Sequence, residues 1–296
     1  MEEKINIRMG TAGWSYADWE GIVYPQKKES RFDPLSFLAV YFDTLELNVT
    51  FYRPPTPKMT ASWVRRVGHN PNFKFTAKLW KGFTHERGSA TVADELSFKR
   101  GMEPFMEEQK LGSLLIQFPW SFKNNQENRQ YLQKLISRFA NYPSALEVRH
   151  SSWDKEEVYA FLQEEGVGFC NIDQPLISRS LAPTSRATSQ IGYVRLHGQN
   201  YRDWFREEAG RDERYNYLYS IDELKPWVDK ILKIAQKAID TYVITNNHYR
   251  GQAVCNALQL KSLLSSSRVR IPSGMLSAFP QLKDIALDEP QQRLFL

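Results

Sequence analysis

Two cysteines in 296 residues, Cys170 and Cys255, stand without a CxxC pair or a His/Cys cluster at ligand spacing. That scarcity excludes a disulfide framework and gives no support to a structural zinc site. No run approaches 18 apolar residues, so no segment is suited to span a membrane. The start, MEEKINIRMG, lacks the basic and apolar regions of a signal peptide and the bias of a transit peptide. Internal repeats and low-complexity tracts are absent as well. A soluble cytoplasmic protein with no membrane partner is expected. A GxGxxG after a strand is also missing, because Gly10-Thr11-Ala12-Gly13 does not supply it. That argues against a Rossmann-type doubly wound sheet, and no cofactor is expected.

What is present is the composition of a folded chain: 42% hydrophobic, 13% aromatic and 25% charged residues. The surplus of 39 basic over 34 acidic residues is only +5, which permits an anionic partner without demanding one. Eight short runs rich in β-branched or aromatic residues read as strands: 5–13, 44–50, 73–79, 113–119, 144–149, 167–173, 191–197 and 241–246. Helical patterns fall between most of them. Asp33-Pro34 and Thr56-Pro57 read as N-caps followed by proline at the first helical position. Further helices are expected over 92–110, 125–140, 154–165 (stopped by Gly166), 226–239 and 252–264. Eight strand–helix units without a long linker favour a closed TIM-barrel-like (β/α)8 barrel, a single domain over 1–296. Residues 174–190 and 198–220 are irregular loops after strands six and seven. Residues 266–296 form a C-terminal extension, placed either across the barrel base or towards a partner chain.

In such a barrel the chemistry lies at the C-terminal ends of the strands. Those ends carry Trp14 and Tyr16; Glu46, Asn48 and Tyr52; Lys78 and His85; Gln117; Glu147, Arg149 and Trp153; Asp173; Arg195 and His197; Asn246 and Asn247. Residues two apart on a strand share a face, which pairs Glu46 with Asn48, Glu147 with Arg149, and Arg195 with His197. Inward-facing charge cannot stay unpaired, so Glu46, Glu147 and Asp173 are expected to offset Lys78, Arg149 and Arg195. A buried ion-pair network and a pocket of acid/base groups both fit this set. Glu46, Glu147, Asp173 and His197 resemble oxygen-rich metal ligand sets, yet three cations compete for the carboxylates and no HxH or HExxH occurs. No metal is assigned. Trp14, Trp80, Trp120 and Trp153 follow strands and suit stacking on sugars or bases, or capping of the core. The loop 198–220 holds five aromatics (Tyr201, Trp204, Tyr215, Tyr217 and Tyr219), but its four arginines meet five acids, so it is not a basic patch.

The segments GTAGWSYADWEGIVYP, FDTLELNVTFYRPPTP, FKFTAKLWKGFTH, GSLLIQFPWSF, ALEVRHSSW, YVRLHG and YVITNNHYRGQAVCNA resemble the DUF72 (YecE-like, UPF0759) family over about residues 8 to 265. The resemblance implies a TIM-barrel-like architecture and places motif residues at the strand-end positions named above, with Gly13, Phe51, Pro119 and Gly198 beside them. Ala12, Val148 and Thr245 stand where family members often carry Ser, Phe and Phe. The family brings no established activity.

Three readings follow. The first is an enzyme, a hydrolase, lyase or isomerase, acting on a small phosphorylated or sugar-like anion. Its catalytic set would be Glu46, Lys78, Glu147, Asp173 and His197. Trp14, Tyr16, Asn48, Tyr52, His85, Gln117, Arg149, Trp153, Arg195, Asn246 and Asn247 would bind the substrate. The second is a metal-dependent nuclease or phosphodiesterase. The third is a module that binds a metabolite or nucleic acid without turnover.

Overall fold

The computed structural model describes residues 6–202, 204, 206 and 211–288, with the side chains of 211 and 212 left aside. Eight parallel strands form the barrel: β1 (Asn6–Thr11), β2 (Thr44–Leu47), β3 (Lys74–Lys78), β4 (Leu111–Gln117), β5 (Ser144–Glu147), β6 (Gly168–Asp173), β7 (Ile191–Leu196) and β8 (Asp240–Thr245). They run in the order β1-β8-β7-β6-β5-β4-β3-β2. The remaining seam, between β1 and β2, is closed by a single bridge, Ala12 to Glu46, and by the Gly13 N–H donating to the Glu46 carbonyl at 2.9 Å. Gly10 makes that seam fit, since a Cβ there would lie 1.8 Å from the Thr44 carbonyl oxygen. All eight expected strands are present, and the fold is a single-domain (β/α)8 barrel.

The helices are α1 (Pro34–Leu38), α2 (Val49–Tyr52), α3 (Pro57–Arg66), α4 (Val92–Glu107), α5 (Gln126–Arg138), α6 (Glu156–Glu164), α7 (Arg211–Arg214), α8 (Ile221–Ala235), α9 (Gln252–Ser265) and α10 (Ser273–Ala278). Both proline starts behave as expected: Asp33 accepts from the Leu35 N–H, and Thr56 from the Met59 N–H. Gly166, at φ 66°, turns the chain out of α6 in the left-handed region. Several boundaries differ from the sequence reading, two of them for a reason the side chains show. β2 stops at Leu47, not residue 50, because the Thr50 hydroxyl donates to the Leu47 and Lys78 carbonyls and α2 winds there. α8 begins at Ile221, five residues early, because Ser220 and Glu223 form a capping box that carries the helix through Pro226.

Outward-facing strand residues such as Leu45, Phe75, Ile116, Leu146 and Val194 are fully buried beneath the helices. In the C-terminal stretch, as far as 288, Gly274 packs on the backbone after β1, where a Cβ would lie 2.5 Å from the Ile22 carbonyl oxygen, and Val269 bridges Ala286. Residues 289–296 lie outside the described residues, as do 1–5 and the loop acids Asp203, Glu207 and Glu208. Among the described residues no helix is long and apolar enough to cross a membrane.

Candidate active site

Period-two alternation decides which side chains enter the barrel. On β7, Tyr193, Arg195 and His197 share the inner face, and on β3 Thr76 and Lys78 do. Glu46 and Arg195 sit on β2 and β7, strands that are not neighbours, so their contact crosses the interior. Arg195 is 1% exposed and is held on two sides: Nη2 lies 2.7 Å from Glu46 Oε1, and Nη1 2.6 Å from Glu147 Oε2. Beneath this pair, the Tyr193 hydroxyl bridges Glu46 Oε2 at 3.0 Å and Thr76 Oγ1 at 2.9 Å. Above it, Arg149 Nη2 reaches Glu147 Oε1 at 2.6 Å.

The electrostatics follow from burial and pairing together. Burial opposes ionisation of Glu147, but Arg149 and Arg195 override it and hold the carboxyl well below its ordinary range. Burial likewise opposes the Arg195 charge, and Glu147 and Glu46 more than offset it. His197 is driven well below its ordinary value by burial, then by Arg149 and Arg195, and is neutral at pH 7. Asn246 Nδ2 lies 2.9 Å from its Nδ1, and Glu147 Oε1 lies 3.6 Å from its Nε2. Arg195 Nη1 lies 3.5 Å from the same Nε2, so the arginine and the carboxylate ask for opposite tautomers at that nitrogen.

Lys78 differs from the two arginines. Its Nζ stands 4.7 Å over the Phe51 ring, and among the described residues it makes no hydrogen bond or ion pair. Burial and the Arg195 charge lower its pKa to about 8, against the pull of Glu46 and Glu147. His85 packs edge-on to the same Phe51 ring at 4.8 Å, with Thr84 Oγ1 2.9 Å from its Nδ1. Desolvation and the Lys78 and Arg149 charges push His85 down to about 4.

Gln117, Trp120, Arg149, Gln174, Trp204 and Tyr215 line a cavity of about 230 Å³ at the mouth. The loop after β7 supplies its aromatic wall. Trp204 lies 6.0 Å from the His197 ring and 5.8 Å from the Arg149 guanidinium, and Tyr215 packs 5.9 Å from Trp204. Tyr16 stacks on His248 at 4.5 Å, and His248 meets Tyr215 at 5.2 Å.

The interior therefore brings together Glu46, Lys78, Glu147, Arg149, Arg195, His197 and Asn246, with Gln117 and His85 at its rim. Other expected residues serve elsewhere. Asp173 does not join the charge cluster: it accepts from the Tyr219 hydroxyl and from Gln199 Nε2 at 3.0 Å, and burial raises its pKa against those bonds. Trp153 is 1% exposed beneath Phe122, its indole N–H donating to the Phe122 carbonyl at 2.7 Å. Trp14 packs edge-on against Trp63 of α3 at 5.8 Å, and Tyr52 is 63% exposed. Asn48 is the residue before α2. Asn247 ties the end of β8 to α9, donating to the Tyr217 carbonyl at 2.7 Å and to Asn256 Oδ1 at 2.8 Å.

Tyr193 and Thr76 were not singled out from the sequence, though each stands two residues before a named one. Cys170, 3.9 Å from Glu147 Oε2, occupies the inward position on β6 that Asn171 and Asp173 do not. Glu46 and Glu147 are already ion-paired with arginines. Among the described residues no three His, Cys, Asp or Glu side chains are grouped to hold a metal ion.

Fold and site together define a (β/α)8 barrel with a charged, ion-paired interior opening on an aromatic-walled mouth. The family model described as "Protein of unknown function DUF72" matches residues 8–280, and the chain belongs to that family. It is 31% identical over 272 residues to the UPF0759 protein YunF of Bacillus subtilis (strain 168), covering 87% of this chain and 94% of that one. A DUF72 family crystal structure from Thermotoga maritima superposes with a TM-score of 0.77 at 38% identity, over 88% of this chain and 99% of that one. One from Enterococcus faecalis gives 0.78 at 28% identity, over 88% and 95%.

Proposed function

We propose that this barrel is an enzyme without a redox cofactor that binds a small anionic compound at the mouth and acts on it by proton transfer. The observation that carries this is the local charge. Two fully buried carboxylates, Glu46 and Glu147, meet three cations, Arg195, Arg149 and Lys78, while His197 is neutral and Asp173 is directed elsewhere. One positive charge is left over among these groups, and Arg214 lines the cavity as a further cation. A phosphate or carboxylate suits that surplus, met by Gln117 and by the N–H groups of Arg149 left over once Nη2 has paired with Glu147 and Nη1 has reached Gln174 Oε1 at 3.1 Å. Glu147 is held ionised and serves as a fixed countercharge more readily than as an acid. Lys78, with a pKa near the working range, is the group suited to give and take a proton. The same reading places the protein in the cytoplasm, where its two buried free thiols suit a reducing environment.

The test is calorimetric titration with inorganic phosphate and with phosphorylated three-carbon compounds, followed by product analysis on every compound that binds. Arg149→Gln should weaken binding by about 10- to 100-fold, the loss of a charged hydrogen bond. Arg149→Lys should recover part of it. Because Arg149 also neutralises Glu147, melting temperature is measured on the same samples. Unchanged affinity in a folded Arg149→Gln protein overturns the assignment.

A further inference from the structure

We infer that Lys78 is a covalent nucleophile, forming an imine with a carbonyl compound whose anionic group is held by Arg149. This rests on the anion-binding reading of the mouth and names the substrate class: an aldehyde or ketone bearing phosphate or carboxylate. The geometry singles out Lys78. A buried or half-buried cation kept for charge balance is paired, as Arg195 is on two sides. Lys78 is partly buried at the inner end of β3, yet among the described residues its Nζ has no acceptor and no carboxylate within ion-pair distance. It faces the apolar ring of Phe51 instead. Lys78, Gln117 and Arg149 belong to the ends of three successive strands, β3, β4 and β5. The charged and titratable groups that face Lys78 are Arg195 from β7, Glu46 from β2, Glu147 and Arg149 from β5, and the neighbouring His85. Burial first, and then the two arginines, disfavour a third cation, so the neutral amine is populated near pH 8 and available for attack.

The step balances without an oxidant or reductant. The Nζ lone pair forms a bond to the carbonyl carbon as the C=O π bond breaks, and a proton passes from nitrogen to that oxygen. The resulting carbinolamine expels its hydroxyl as water, taking up one proton, and leaves a protonated imine. The sum is amine plus carbonyl plus one proton giving a protonated imine plus water. The iminium then accepts electrons from a C–H or C–C bond at the adjacent carbon. This points to lyase or isomerase chemistry over hydrolysis.

The experiment incubates the full chain separately with dihydroxyacetone phosphate and with pyruvate in the presence of borohydride, which reduces an imine to a stable secondary amine. Peptide mass mapping then locates the adduct. The expected result, with at least one of the two probes, is one dominant adduct at Lys78, absent in Lys78→Arg and suppressed several-fold by inorganic phosphate. Its yield should rise as pH passes through about 8, whereas an ordinary lysine follows its value of 10.5. Site mapping, phosphate competition and the pH profile all use the unaltered protein, so the result stands even if Lys78→Arg folds poorly. Adducts scattered over surface lysines, or none at Lys78 with either probe, overturn the imine. If phosphate still binds at the mouth and depends on Arg149, the anion-binding reading survives that outcome. If phosphate binding is absent too, both fall.

Discussion

Replacing Arg195 by Met tests whether the charged interior is a coupled unit. The side chain is 1% exposed and its two terminal nitrogens each hold a buried carboxylate. Met fills similar volume, so little of the loss should come from a cavity. What remains is Glu46 without a hydrogen-bonded cation, keeping the Tyr193 hydroxyl and the more distant Lys78 charge, and Glu147 resting on Arg149. Removing one partner of a buried pair costs about 3–5 kcal/mol. For a chain of this size that lowers the melting temperature by roughly 6–20 °C, at about 2–4 °C per kcal/mol. The pH dependence carries the sharper test. In the native protein the Glu147 pKa is depressed below 4.5, so its contribution is present above that value and is lost as pH falls through the folded value. In Arg195→Met the Glu147 carboxyl is desolvated with less compensation, so it takes up a proton more readily than in the native protein. The deficit should therefore be large at pH 7 and shrink towards pH 5. Urea denaturation of both proteins at the two pH values measures it. Adding Glu46→Gln to Arg195→Met should recover part of the loss at pH 7. A deficit below about 1 kcal/mol, or one independent of pH, refutes the coupling and the charge assignment with it.

Three further outcomes are expected. Gly10→Ala drives a methyl group towards the Thr44 carbonyl at the β1–β2 seam, so it should destabilise by at least about 3 kcal/mol in urea unfolding, since backbone has to move. In a proton NMR titration the ring signals of His85 should move with a midpoint about 4, and Lys78→Gln should raise that midpoint by removing a facing positive charge. Tyr219→Phe removes the donor to Asp173 and the acceptor for the Gly198 N–H, and should cost about 1–3 kcal/mol in thermal or chemical denaturation. Mouth affinity for phosphate should change little, since Asp173 lies outside the charge cluster.

The eight strands were legible because parallel strands buried beneath helices read as short β-branched and aromatic runs. Their ends were less so: Thr50 belongs to a favourable strand run, but its hydroxyl finds two carbonyls only when the chain turns into α2. In the site, period two correctly joined Glu147 with Arg149, and Arg195 with His197. It did not set the phase of β6, where GFCNID has polar or small residues on both faces. The phase shows in three dimensions, with Cys170 beside Glu147 and Asn171 donating to the Arg186 carbonyl at 2.8 Å on the other side. Trp153 and Asn247 stand after strands as binding residues would. Their polar groups are instead spent on backbone or amide partners distant in sequence, which no local pattern reveals.

The barrel interior itself argues for use of the mouth. Layers inside such barrels are dominated by bulky branched residues, and a buried ion pair is often no more stabilising than apolar side chains of similar volume. Here the upper interior holds Arg195, Glu46, Glu147 and Tyr193, so it carries a desolvation cost that packing alone does not require. What it supplies is a rigid frame. Glu147 fixes the Arg149 guanidinium at the edge of the cavity, and Arg195 pairs with both carboxylates, helps hold Glu147 ionised, and repels the ammonium of Lys78. Charges held in place before a ligand arrives need no reorganisation when it binds, and that makes a preorganised site effective. The unpaired lysine and the doubly paired arginine are thus two consequences of one arrangement. Removing Arg195 should therefore raise the Lys78 pKa as well as destabilise the fold.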